Sequence, residues 1–463
     1  MKQHLLVILF LLVVSPIYSI QTYYISSSSG SDSNNGLTEK SPLKSISKAP
    51  KSNVVIKLKA GDVFYESISD LKNCTVTAYG KGKKPVLSGF KRVKAAKGTQ
   101  VWTSVGNDVW RIDLSANENF TGFFKVGDYV NDIGVLYCVE KDLVYGHLVN
   151  DIKKLKEIGD FFITSEWLKK NVKPETFKYL YLKHRGNPGS EGLWSFSSRA
   201  YGVYNLSGCH VSNIKVQGFS AHGFWGITNS KIDRCELDLI GGAIQLDTYE
   251  WVRFGNGIEF YMDRDLRNCE IRNCYFSRVY DCGATIQLSK NSKTRFKPIS
   301  IRFIGNVFVN CRQAFEHFLP SDLPYENCEF SDNLILDAGE NGFRSPESRD
   351  AAFLSYESTD RSDLRITNNK IFGSSFYCGK HYTKNMSGNV VYIYDDQYIA
   401  SYHFDSSFPK LNAKEGDESI KKYKTISKDN DTEFIVMGRN SFMSSLYRYL
   451  FLRKIEHDET VGD

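Results

Sequence analysis

The chain has 463 residues, 24% charged and 14% aromatic, with 35 Gly, 11 Pro and a net charge of +6 at pH 7. That charge is spread along the chain and is too mild for nucleic-acid binding, which rests on dense neutralisation of phosphates. High aromatic and Gly content with few Pro favours strands and turns over helices.

In chain order, Lys2 precedes an apolar run from Leu5 to Val14, and Ser15, Pro16 and Ser19 form a small-residue exit. This predicts a secretory signal peptide over 1–19 and a secreted or periplasmic protein. The run is shorter than the roughly 20 apolar residues that cross a bilayer, and no later segment is long and apolar enough to span one. Ser41-Pro42 ahead of Leu43, Ile46 and Ala49 predicts a short capping helix. Val54 to Leu58 and Cys74 to Ala78 read as the first strands, and residues 100–187 as a large insertion in a body that runs over 20–395.

From residue 204 onward one phrase recurs: apolar, two spacers, a ladder residue, a spacer, apolar. It places Ile214, Cys235, Cys274, Asn306, Asn333, Asn369 and Asn389 at equivalent positions, 21, 39, 32, 27, 36 and 20 residues apart. The shortest steps define a coil of about 20 residues, and a period of that length made of strands and turns marks a repeat array. Stacked coils share one core that none could bury alone. The four Asn predict a buried amide ladder that tolerates left-handed backbone and satisfies polar groups. At the C-terminal end, residues 396–463 read as a loop and a capping helix starting near Asn440. The predicted fold is an all-β, single-stranded right-handed parallel β-helix with short capping helices at both ends, expected to be a monomer. Ten cysteines, many in one strand context (Cys209, Cys269, Cys328), read as small buried side chains stacked along the core. One or two disulfides are the alternative, and a metal has only the isolated Cys378 and His381 to rest on.

These features resemble the exported pectate-lyase-like β-helix proteins of bacteria. The segments Tyr23 to Gly36, Ser41 to Ile46 and Lys59 to Asp62 are similar to the entry motifs of that group. Lys178 to Leu182 looks like the strand leading into its main coils, and the blocks Val279 to Gln287 and Ala314 to Phe318 resemble its polar patches. The resemblance implies a parallel β-helix that handles carbohydrate. It leaves activity open, because that superfamily contains lyases, hydrolases, epimerases and inactive binders.

The longest loops follow Gln245 and Gln287, which puts a candidate groove over residues 240 to 350. The acidic residues there include Asp281, Glu259 and Glu316. Glu316 lies among Phe315 and Phe318, an apolar setting that raises a carboxyl pKa and suits a general acid. The reading is a glycoside hydrolase acting on a polysaccharide or oligosaccharide. Glu316 is the proton donor, Asp281 the nucleophile or base, and Glu259 the reserve carboxylate. Gln287, His317, Arg344 and Gln245 are expected to hold the sugar, and Tyr249, Trp251 and Tyr261 to stack on it. Counted from the ladder, Asp281 and Glu316 differ by three positions, roughly 10 Å along a flat strand. A lyase using Lys290, Lys293 and Arg295 is one rival, and a non-catalytic glycan-binding surface protein the other. No cofactor is expected; Ca²⁺ would need a denser carboxylate cluster than the sequence offers.

Overall fold

The computed structural model describes residues 20–92, 100–113, 125–126, 129–130, 134–149, 151–163, 179–245, 253–339, 343, 351–354, 363–373, 378–379, 386–394, 398–399, 411–412, 421, 431–438 and 440. Among the described residues, three parallel sheets wind along the chain, with ten strands in sheet 1, ten in sheet 2 and eight in sheet 3. One bare coil shows the order. His210–Ser212 lies in sheet 1, Lys215–Gln217 in sheet 2 and His222–Thr228 in sheet 3, before Lys231–Asp233 returns to sheet 1. This is the parallel β-helix that the repeat predicts, and parallel crossovers take the right hand.

The strands form because apolar residues alternate with polar ones at a period of two, the spacing that buries one face of a pleated strand. In Val54–Lys59, Val54, Ile56 and Leu58 are buried and the residues between them are half-buried. Stacked in register, such residues form one apolar core reaching from Ile25 to Val391. Nine of the cysteines, all but Cys378, are buried and free of disulfides. Burial pushes the Cys269 thiol up to about 12, which makes it an inert packing group.

The Asn ladder occupies the corner between sheets 1 and 2. Asn306 Nδ2 donates to Asn333 Oδ1 at 3.1 Å, Asn333 Nδ2 to Asn369 Oδ1 at 3.0 Å, and Asn369 Nδ2 to Asn389 Oδ1 at 2.9 Å. Each Oδ1 also takes the backbone N–H of the preceding ladder residue, as Asn333 does from Asn306 at 2.8 Å. The left-handed backbone falls one residue earlier than expected. Asn213, Arg234, Asn273, Gly305, Asp332 and Asn368 carry the positive φ, and the ladder residue follows the bend with its amide free to bond along the stack.

At the front, the expected helix is a single 3-10 turn, Ile46–Lys48, with no side-chain cap on it. Leu43 is extended instead. Its N–H donates to Tyr24 O at 2.9 Å and its carbonyl accepts from Ser26 N at 2.8 Å, so this segment satisfies an otherwise open strand edge. Leu43, Ile46 and Ala49 are still buried over the first coil. The segment 1–19, expected to be a signal peptide, and the helix expected after Asn440 lie outside the described residues.

The described parts of the insertion form antiparallel sheets. Tyr179–Lys183, expected to lead into the coils, pairs antiparallel with Val109–Asp113 and Phe161–Ile163. Alternating apolar residues give it a separate core that includes Trp102, Leu136, Phe161, Leu180 and Trp194, with Trp194 stacked on Tyr145 at 5.5 Å. The insertion is pinned where sheet 2 turns into sheet 3. There the buried Arg253 guanidinium donates to the carbonyls of Gly134, Gly146 and Gly242, and Tyr137 and Val144 pack with Leu239 and Tyr280.

Candidate functional site

Sheet 3 begins with a bend that repeats in five successive coils. Gly202, Gly223, Gly257 and Gly283 stack in register at this bend, with Ala314 in the fifth coil. The core side of the bend has no room for a side chain. A Cβ on Gly257 would lie 2.7 Å from Phe276 Cδ1, and one on Gly283 would lie 2.4 Å from Phe308 Cδ1. Gly283→Ala is therefore expected to lower stability by about 1–3 kcal/mol, the usual cost of overpacking. A chemical-denaturation midpoint measures it.

Two outward rows face each other across this bend. One row, just before the glycines, is Tyr201, His222, Asn256, Cys282 and Gln313. The other, two residues after them, is Tyr204, Trp225, Glu259, Thr285 and Glu316, each in register with the next. Residues on opposite rows of a flat strand would be roughly 10 Å apart. Here they touch. Glu316 Oε2 lies 2.7 Å from Cys282 Sγ, and Glu259 Oε2 lies 2.8 Å from His222 Nε2. The bend thus closes the two rows into a seam along the solenoid axis, with the insertion seated on the same corner.

At the carboxylate end, Glu316, Asp281, Cys282, Thr285 and Gln313 are all buried. One carboxylate oxygen each from Asp281 and Glu316 and the Cys282 sulfur lie within 4.8 Å of one another. The structure therefore brings together the acid pair that counting from the ladder sets three positions apart. Burial, and then the charge of Asp281, push the Glu316 carboxyl up to about 8. The Cys282 thiol is pushed up as well, by burial and by both carboxylates. Arg312 lies 3.6 Å from Asp281. Asp281, Cys282 and Glu316 are close enough to gather on a cation, but a sulfur ligand does not suit Ca²⁺.

Glu259 is also buried, and it is fixed from both sides. Gln287 Nε2 donates to its Oε1, and His222 lies against its Oε2 without aiming an N–H squarely at it. His222 Nδ1 accepts from Asn256 N–H at 3.3 Å, which assigns the ring proton to Nε2. Further along the seam, Tyr201 stacks on His222 at 5.7 Å and on Trp225 at 5.1 Å, and the Arg264 guanidinium lies 4.2 Å from the Trp225 ring. That end offers an aromatic surface with a polar edge, the kind of platform on which sugar rings stack.

Of the expected site residues, Asp281, Glu259, Glu316 and Gln287 therefore come together. Tyr261 is in register with Gln287 but packs against the core. His317 shares a strand face with Phe315 and is buried against Phe315 and Tyr325, so it belongs to the core and not to the seam. Gln245 does not stack on Gln287. Its strand, Ala243–Gln245, pairs antiparallel with Tyr129–Val130 and Arg253–Phe254, because the two similar Gly-Ala phrases occupy different sheets. Tyr249, Trp251 and Arg344 lie outside the described residues. The lyase candidates Lys290 and Lys293 are exposed on a loop, and Arg295 pairs there with Asp322 at 2.6 Å. His222, Cys282, Thr285 and Gln313 were not among the expected site residues. Their signal is the phrase residue-Gly-apolar-residue at 222–225, 256–259 and 282–285, repeated with Ala at 313–316.

No family model matches the chain, and no curated protein matches it. Among solved structures, it is similar to XylC in complex with xylose, at 13% identity and a TM-score of 0.42, over 81% of this chain and 70% of that one. It is also similar to a GH136 lacto-N-biosidase from Eubacterium ramulus, at 14% identity and a TM-score of 0.40, over 81% of this chain and 56% of that one. A double-mutant tailspike protein of an E. coli bacteriophage in complex with a pentasaccharide matches at 8% identity and a TM-score of 0.33, over 80% of this chain and 58% of that one. The chain spans little more than half the length of the last two.

Proposed function

We propose that the chain is an exported glycoside hydrolase acting on a polysaccharide or oligosaccharide, with Glu316 as proton donor and Asp281 as nucleophile. The observation that carries this reading is the buried Glu316 carboxyl with an Asp281 carboxylate oxygen within 4.8 Å of it, in a setting where burial and the charge of Asp281 push Glu316 up to about 8. Retaining hydrolysis uses two carboxyl groups about 5–5.5 Å apart in unequal protonation states. Glu316 gives its proton to the glycosidic oxygen as the bond to the anomeric carbon breaks, and Asp281 bonds to that carbon. Water, losing a proton to Glu316, then displaces Asp281 and restores both groups. Arg312, 3.6 Å from Asp281, places a positive charge beside the attacking carboxylate. Glu259, set in place by His222 and Gln287, adds negative charge that helps hold the proton on Glu316. The test is incubation with a panel of glycans. New reducing ends without absorbance from an unsaturated uronate support hydrolysis. Both signals together mean elimination, and binding with neither means a glycan-binding protein. Asp281→Asn is expected to abolish release of reducing ends while the circular-dichroism spectrum stays unchanged.

A further inference from the structure

We infer that Thr285 and Gln313 are hydroxyl-binding side chains of the seam, and that the group they hold is a neutral sugar. This rests on the reading of Glu316 as proton donor and names what that site takes. Both residues are fully buried, yet Thr285 Oγ1 and Gln313 Nε2 have no hydrogen-bond partner. Buried polar atoms in folded proteins are nearly always paired, and an unpaired one is costly. Two such atoms flank one carboxyl. Thr285 stands in register between Glu259 and Glu316. Gln313 stands on the opposite row, its Oε1 3.0 Å from the Cys282 sulfur that touches Glu316. Exchanging the oxygen and nitrogen of the Gln313 amide moves the unmet position to the other atom without removing it. A hydroxyl can donate to and accept from groups of this kind, so a polyhydroxylated ring meets both needs.

The surrounding charge selects among sugars. Asp281 and Glu259 bring negative charge to this stretch beside the protonated Glu316, and Arg312 is already beside Asp281. A uronate would bring its own carboxylate against them, and like charges at such range repel strongly. The structure therefore assigns the position next to Glu316 to an uncharged sugar.

The probes are xylose, glucose, galactose and N-acetylglucosamine, set against glucuronate and galacturonate. Each is titrated into the intact protein, with thermal shift and calorimetry as readouts. At least one neutral sugar is expected to bind and both uronates to fail. Thr285→Val, which keeps the shape and removes the hydroxyl, is expected to weaken that sugar tenfold or more while leaving the unfolding midpoint of the free protein equal to or above wild type. Gln313→Met is expected to do the same. The inference is overturned if uronates bind as well as neutral sugars or if no neutral sugar binds. It is also overturned if Thr285→Val lowers the midpoint and leaves affinity unchanged, because the hydroxyl is then structural. Glu316→Gln separates the two levels. Full turnover in that variant overturns the proton-donor reading, whereas sugar binding lost in Thr285→Val with turnover lost in Glu316→Gln upholds both.

Discussion

Glu316→Gln is expected to cut turnover of the glycan by about 10²–10⁴-fold, the range supplied by general acid–base catalysis, and yet to give a more stable protein than wild type above pH 8. Gln keeps the shape and the contact with Cys282 but has no proton to give. The stability effect follows from linkage. The carboxyl has an ordinary value of 4.5 and is raised to about 8 in the folded chain, by burial first and by Asp281 second. Between these values the folded state holds a proton that the unfolded state has lost, so stability falls as pH rises. The contribution of protonated Glu316 is complete below pH 4.5 and is lost as pH passes through about 8. The variant carries no such dependence. Thermal midpoints of the two proteins should therefore diverge in favour of Glu316→Gln across that window, and wild-type activity should fall on an alkaline limb near pH 8 as the acid ionises.

Asn333→Ala is expected to destabilise the solenoid by about 3–4 kcal/mol, because several buried groups lose their partners at about 1–3 kcal/mol each. Asn333 Oδ1 accepts from Asn306 N at 2.8 Å and from Asn306 Nδ2 at 3.1 Å, and its own Nδ2 donates to Phe303 O at 3.2 Å and to Asn369 Oδ1 at 3.0 Å. None of these atoms can reach water in its place, since Asn306, Asn333 and Asn369 are all buried. Asn389 accepts from Asn369 and donates to Ile366 O, and the next described ladder position, Thr432, is not an Asn. Asn389→Ala should therefore cost less. Urea denaturation of both variants measures the difference, and equal losses would mean that the ladder does not act as a connected row.

The coil stack was legible because its cause is local and repeated. An Asn or Cys at the same place in one phrase every 20 to 39 residues leaves little room for another fold. The convergence of Asp281 and Glu316 was left open by the sequence, because a three-position offset amounts to roughly 10 Å on a flat strand and only a bend between the coils erases it. The two rows meet at Gly283, and Gly257, the neighbour stacked on it, lies 26 residues away in sequence. The same long-range register separates Gln245 from Gln287, two Gln in nearly identical phrases. Likewise, His317 looks available in sequence beside Glu316, but alternation along Gln313–Phe318 turns it toward Phe315 and the core. Ser41-Pro42 carried a genuine helix-start signal that lost to an open strand edge, since pairing Leu43 with Tyr24 and Ser26 satisfies groups a helix would leave unpaired.

Infrared titration of the protonated-carboxyl band, compared between wild type and Glu316→Gln, tests most directly whether this seam stores a proton for transfer. A band that persists through neutral pH, disappears near pH 8 and is missing from the variant is the predicted result. A wild-type band already gone just above pH 4.5, as for a solvated glutamate, would contradict it.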